Sequence, residues 1–169
     1  MPSVERPQMS AYGVPHDLEG VLPWSWAEAR LAESRNFWLV TVSAAGRPHC
    51  LPVWGVWIAE RERFGFSCAT TARKVRNLAA NDQVVVTNDD SRRVVSLEGR
   101  AVRLTENDPA IEAMASLYAA KYSDDLPDPE QTLEFLSQNA SYEVIPDRAF
   151  GLIETPEDFG PRSTRWSWA

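Results

Sequence analysis

The 169-residue chain has only two cysteines, Cys50 and Cys68, eighteen positions apart. That excludes a disulfide framework, and a reducing, cytoplasmic compartment is the expectation. Lysine is almost missing: Lys74 and Lys121 stand against fifteen arginines. Basic residues are outnumbered 17 to 24, for a net charge of −7. Nucleic-acid binding needs clustered cations to neutralise phosphates, so no nucleic-acid partner is expected. No apolar run approaches the roughly 20 residues of a membrane helix, and the first twenty residues lack the apolar segment of a signal peptide. No membrane association is expected. Histidine occurs twice, as His16 and His49, without a partner at zinc spacing, so no metal site is expected. The patterns G-x-S-x-G, Walker A and G-x-G-x-x-G are absent, which removes support for hydrolases and nucleotide kinases.

What is present is ordinary globular material, 44% hydrophobic and 24% charged, of a size for one domain. Residues 1–22 carry prolines and glycines without a sustained apolar period and read as an extended N-terminal arm; residues 23–169 read as the folded domain. Ser25-Trp26-Ala27-Glu28 fits a capping box, which predicts a helix from Ser25 to about Asn36. Strands are predicted over 37–42, 49–58, 64–68 and 83–87, with a turn at 44–48 where Gly46 supplies positive φ. Val84, Val85 and Val86 suggest a strand buried on both faces. A short helix is predicted over 72–80. The long strand 93–105 changes phase, since Val95 and Leu97 are odd-numbered and Val102 and Leu104 even. That predicts a bulge near Gly99, of the kind a barrel needs. Asp108-Pro109 starts a helix to about 122, with Ile111, Met114, Ala115 and Tyr118 as its apolar stripe. An acidic loop over 123–130, a short helix over 131–137 and a last strand over 141–154, interrupted at Pro146, complete the pattern. The fold class is mainly β (α+β): a closed barrel of about six antiparallel strands with peripheral helices.

The segment Thr70-Thr71-Ala72-Arg73-Lys74-Val75-Arg76-Asn77-Leu78 follows a strand and opens a helix. Free N–H groups and the dipole make such a start attractive to anions. Two cations in the first turn are disfavoured by the dipole by a few tenths to about 1 kcal/mol each, and a bound phosphate reverses that sign. The bland alternative is a solvated basic helix start. In Leu51-Pro52-Val53-Trp54-Gly55-Val56-Trp57, Pro52 cannot donate to a ladder and Gly55 suits a bulge or a close ligand approach. Trp54 and Trp57 point to opposite faces unless a bulge intervenes, so one can wall a pocket or both can simply pack. Arg165-Trp166-Ser167-Trp168 reads as a docking tail, onto the protein itself or onto a ligand. His49 on a strand is read as a packing residue.

The segments Trp38-Leu39-Val40-Thr41, Gly46-Arg47-Pro48, Pro52-Val53-Trp54, Phe64-Gly65-Phe66, Arg73 to Leu78 and Glu98-Gly99-Arg100-Ala101, in that order, resemble the pyridoxamine 5′-phosphate oxidase-like split-barrel superfamily. More narrowly, the chain resembles its flavin/deazaflavin oxidoreductase branch. The resemblance covers about residues 24–106, and the Arg-Trp ending more loosely. It implies a homodimer with cofactor sites at the subunit interface. Leu51, Pro52, Val53 and Trp54 then lie along the flavin ring, and Ser67 and Cys68 help to hold the ribityl and phosphate groups. Thr70, Thr71, Arg73, Lys74 and Asn77 form the phosphate cradle. Ser96 on the following long strand contacts the cofactor, and Arg165 and Trp166 cover the ring from the partner. The chain departs from true pyridoxamine phosphate oxidases in carrying Leu51 where they carry a basic residue, and in lacking their C-terminal substrate segment. Both departures favour the deazaflavin coenzyme F420 over FMN, its longer anionic tail using Arg76 or Arg47. The implied activity is hydride transfer to a conjugated small molecule. The proton donor is unassigned among His49, Cys50, Tyr12 and solvent. The competing expectations are an FMN-dependent oxidase or reductase on the same barrel, and a non-enzymatic cofactor or haem carrier.

Overall fold

A computed structural model describes residues 1–105, 108–126 and 128–169. The strands are β1 (Ser3–Glu5), β2 (Asn36–Val42), β3 (Pro48–Ile58), β4 (Arg63–Cys68), β5 (Gln83–Asn88), β6 (Arg93–Arg103), β7 (Ala140–Ile153) and β8 (Thr164–Ser167). The helices are α1 (Trp24–Glu33), α2 (Arg73–Ala80), α3 (Pro109–Lys121), α4 (Pro129–Gln138) and α5 (Phe159–Arg162). The order β7-β4-β3-β2-β5-β6 closes because β6 also pairs with β7, giving a six-stranded antiparallel barrel. β8 and then β1 extend the sheet from the far edge of β7.

Period-2 alternation builds the interior. Phe37 and Leu39 of β2, Val53 and Trp57 of β3, and Phe64 and Phe66 of β4 point inward, and all are buried. α1 adds Trp24, Ala27 and Leu31 to this core, and α2 adds Leu78. The outer side of β3 is not solvated: Val56 and Ile58 pack under Ile111, Met114 and Tyr118 of α3 and Leu136 of α4. The predicted stripe of α3 is buried as expected, and Asp108 caps that helix by accepting from Ala110 N–H. Trp24 sits among three further indoles, edge-on to Trp57, Trp166 and Trp168 at 5.5, 5.3 and 5.0 Å between ring centroids. The Nε1 atoms of Trp24 and Trp166 have no hydrogen-bond partner among the described residues. Their N–H groups lie among aromatic rings, which are weak acceptors.

Four expectations need correction. α1 begins at Trp24, one residue before Ser25, and Pro23 occupies the cap without a side-chain bond. The earlier start buries Trp24, and Glu28 accepts from Trp57 Nε1 at 3.2 Å instead of closing a capping box. Of the three β5 valines only Val84 and Val86 are buried; Val85 is partly exposed on the outer face. β6 does not change phase. Val95, Leu97, Gly99 and Ala101 all face inward, Val102 is 43% exposed, and Leu104 is buried beyond the end of the strand. The register does shift at Glu98/Gly99, but the extra residue is Asp147 on β7, between Arg148 opposite Glu98 and Pro146 opposite Gly99. Pro146 is tolerated there because a bulge relieves the ladder of an N–H. Finally, the N-terminal arm, expected to be extended and partly ordered at best, is docked. β1 pairs with β8, Val14 and Leu22 are buried, and the Arg6 guanidinium donates to the carbonyls of Asp17, Glu19, Pro161 and Ser163.

Candidate functional site

β3 and β4 pair over only four positions, from Gly55↔Phe66 to Ile58↔Arg63. Continued, the ladder would set Val53 against Cys68 and Leu51 against Thr70. Instead β3 stays on β2 as far as Pro48, β4 turns to β7 through Ser67↔Ser141 and Cys68↔Ala140, and the wall splits between them. Leu51 records the opening. It shares the inward phase of Val53 and Trp57, yet it is 45% exposed. Residues 48–53 pair with β2 on one side and with no strand on the other, among the described residues.

The end of the split is fixed by α3 in place of a strand. Tyr118 Oη donates to Trp54 O at 2.8 Å, and Tyr122 Oη accepts from Gly55 N at 2.8 Å. Lys121 Nζ donates to Gly55 O at 3.0 Å and to Leu31 O at 3.2 Å. Burial raises the Tyr118 phenol well above its usual range and Tyr122 to about 12, so both stay protonated. Burial also lowers Lys121 to about 8. Gly55 has no room for a side chain, since a Cβ would lie 2.2 Å from the Phe64 ring.

Across the split, β4 runs through exposed Thr70 and Thr71 into α2. The α2 cap is Ala72, which brings no side-chain bond, and the first turn carries no acid. Arg73 and Lys74 make no ion pair among the described residues. Arg76 Nη1 donates to Thr71 O at 3.2 Å and so props the loop. Uncapped N–H groups with two unneutralised cations suit an anion. The donor set therefore fits a phosphate. At the end of β4, burial raises the Cys68 thiol, while Lys74 and Arg103 both act to lower it.

The structure thus gathers Leu51, Pro52, Val53, Ser67, Cys68, Thr70, Thr71, Arg73 and Lys74 about the split, and it places the others elsewhere. Trp54 lies flat on Tyr122 at 4.6 Å and 10°, under α3, and Trp57 is in the core. Asn77 is turned inward and buried, donating to Thr41 Oγ1 at 2.9 Å; it anchors α2 instead of facing the cradle. Ser96 stands on the outer face, with Thr87 Oγ1 donating to its Oγ at 3.2 Å. Through the row Pro52–Trp38–Thr87–Ser96 it is three strand spacings, about 14 Å, from Pro52. Arg165 is farther along the same row and is paired with Glu5, whose carboxyl it holds below the usual range. Trp166 is 1% exposed, a core residue of its own chain with no ring face to offer a partner. Arg103, which the sequence reading passed over, lies opposite Tyr142 on β7 with its guanidinium 5.3 Å from that ring. Among the described residues no three His, Cys, Asp or Glu side chains gather to hold a metal, and no helix is long and apolar enough to cross a membrane.

A family model described as pyridoxamine 5′-phosphate oxidase matches residues 26–155. No curated protein matches significantly. Solved structures share the fold. A conserved hypothetical protein from Mycobacterium tuberculosis has TM-score 0.69 and 18% identity, covering 85% of this chain and 92% of that one. The haem storage protein HutZ from Vibrio cholerae has TM-score 0.60 and 20% identity, covering 75% and 90%. A protein named F420 reductase has TM-score 0.56 and 22% identity, covering 72% and 94%.

Proposed function

From its membership of the pyridoxamine 5′-phosphate oxidase family, to which the chain belongs, we propose that it is an oxidoreductase that binds a flavin-type cofactor, the deazaflavin F420 in preference to FMN, as a homodimer. The carrying observation is the split itself: a free backbone edge at residues 48–53 facing a loop that ends in an uncapped, cationic helix start. The free edge offers N–H and C=O groups to a planar polar ring, and Thr70, Thr71, Arg73 and Lys74 receive the phosphate. Arg76 and buried Asn77 hold that loop and helix in place. Leu51 and Val53 keep water from the ring face. Bound reduced deazaflavin supplies a hydride, and the protein supplies orientation and exclusion of water. The acceptor is a conjugated, electron-poor small molecule. Ser96, some 14 Å from Pro52 within one chain by strand spacing, reaches the cofactor only from a second copy docked on the outer face. The F420 reductase named above is alike in fold, and the preference for the deazaflavin rests on the departures at Leu51 and at the C-terminal segment.

Fluorescence titration of the ligand-free protein with FMN and with F420 tests this, beside Lys74→Ala. Submicromolar binding of F420, weakened roughly tenfold or more in the variant, is expected for loss of a charge-assisted phosphate contact. Binding of FMN alone, with rapid reoxidation of the reduced complex in air, moves the protein to the flavin oxidases. Binding of neither overturns the redox reading.

A further inference from the structure

A second concavity of about 500 Å³ opens on the far side of Thr70. Thr70 forms one wall, Arg103 and Thr105 at the end of β6 another, and Gln138 and Asn139 at the end of α4 a third. None of the described residues lining it is acidic. The groove of about 550 Å³ on the outer sheet face is different: it contains Glu98 and Asp147, and its arginines Arg148 and Arg165 are already paired with Glu98 and Glu5. Arg103 makes no ion pair among the described residues, in a chain whose net charge is −7. Its guanidinium rests on the Tyr142 ring and reaches Tyr142 Oη at 3.5 Å, a long contact that leaves most of its donors unused. Of the carbonyls toward the end of α4, which would repel an anion, three are engaged: Leu133 O by Ser137 Oγ, Phe135 O by Asn139 Nδ2 and Leu136 O by Ser141 Oγ. Arg103 and Lys74 both act on the one Cys68 thiol at the end of β4.

We propose that this concavity is an anion subsite continuous with the phosphate cradle, and that Arg103 there binds a second acidic group carried beyond the phosphate of the ligand. The inference rests on the cofactor reading above and deepens it. The phosphate at Thr70 and Lys74 is then an internal diester with an acidic extension, not a terminal monoester. It reassigns the anionic tail from Arg76, which holds Thr71 O, to Arg103.

Titrations with F420, whose phosphate carries a carboxylate chain, and with FMN, whose phosphate is terminal, separate the two contacts. Arg103→Gln is expected to weaken F420 roughly tenfold and FMN less than twofold, because one charge-assisted contact is lost only for the tailed ligand. Thr105→Glu, at an exposed position, is expected to produce the same selective loss by repulsion. Lys74→Ala weakens both ligands. An Arg103→Gln protein that is folded by circular dichroism and binds F420 as the wild type does, or loses both ligands equally, overturns the subsite alone. Wild-type protein that binds neither ligand overturns the cofactor reading and the subsite with it.

Discussion

Lys121 is held by two carbonyls and lies 4.7 Å from the Phe37 ring centre, contacts that favour the charged form, yet burial dominates and brings its pKa to about 8. A free lysine titrates near 10.4. The folded chain therefore gives up this proton first, and above pH 8 the unfolded state binds more protons. The contribution to stability rises with pH through that window and is flat below it. Comparing urea midpoints of wild type and Lys121→Arg, which stays charged, should give a difference that grows from about pH 7.5 to about pH 9.5. A constant difference would contradict the assignment. Residue by residue, the sequence showed what broke a local rule. Arg73 and Lys74 stood out because cations are misplaced at a helix start. Arg103 did not, because its place depends on pairing with Tyr142 nearly forty positions away. Asn77 looked like part of the cradle because it is polar, and the partner that draws it inward, Thr41, is thirty-six positions away.

Among the elements, strands were legible wherever one face is buried, since alternation then has a single reading. The bulge was assigned to the wrong strand for a physical reason: the shift appears at Gly99, but the additional residue belongs to its partner. Gly99 is still constrained. A Cβ there would lie 2.1 Å from Ile145 O and 2.8 Å from Pro146 Cα, both backbone atoms of the bulged strand. Gly99→Ala must move that backbone, and a loss of about 2 kcal/mol or more is expected, read as a lowered denaturant midpoint with unchanged slope. An unchanged midpoint would mean that β7 yields freely at Asp147. The α1 capping box failed because burying Trp24 outweighs one cap bond, which is worth about 1 kcal/mol.

For the molecule as a whole, the outer face of β2 and its neighbours is unusually apolar. Trp38 is 47% exposed, and Val40, Cys50 and Val85 continue the surface beside it. If two copies pair here, as the proposed function requires, Trp38→Glu should fold normally, sediment as a monomer where the wild type sediments as a dimer, and lose the cofactor. A wild type that is monomeric in sedimentation would remove the dimer from the reading. The barrel was legible in the sequence, and so was a docked Arg165–Trp168 tail; the docking of the N-terminal arm was not. One arginine of fifteen, Arg6, gathers four carbonyls from distant turns, and no pattern marks it beforehand.

The four-indole cluster has an optical consequence. Trp24, Trp57, Trp166 and Trp168 come from the first helix, the barrel wall and the last residues of the chain, with Trp24 as the shared neighbour. At such separations the transition dipoles couple and excitation passes among the rings faster than it is emitted. The near-ultraviolet dichroism of this protein is then a signal of the assembled cluster rather than a sum over seven indoles. Loosening the last strand alone would withdraw Trp166 and Trp168 from that shared signal and leave the Trp24–Trp57 pair, while the barrel beneath remained folded.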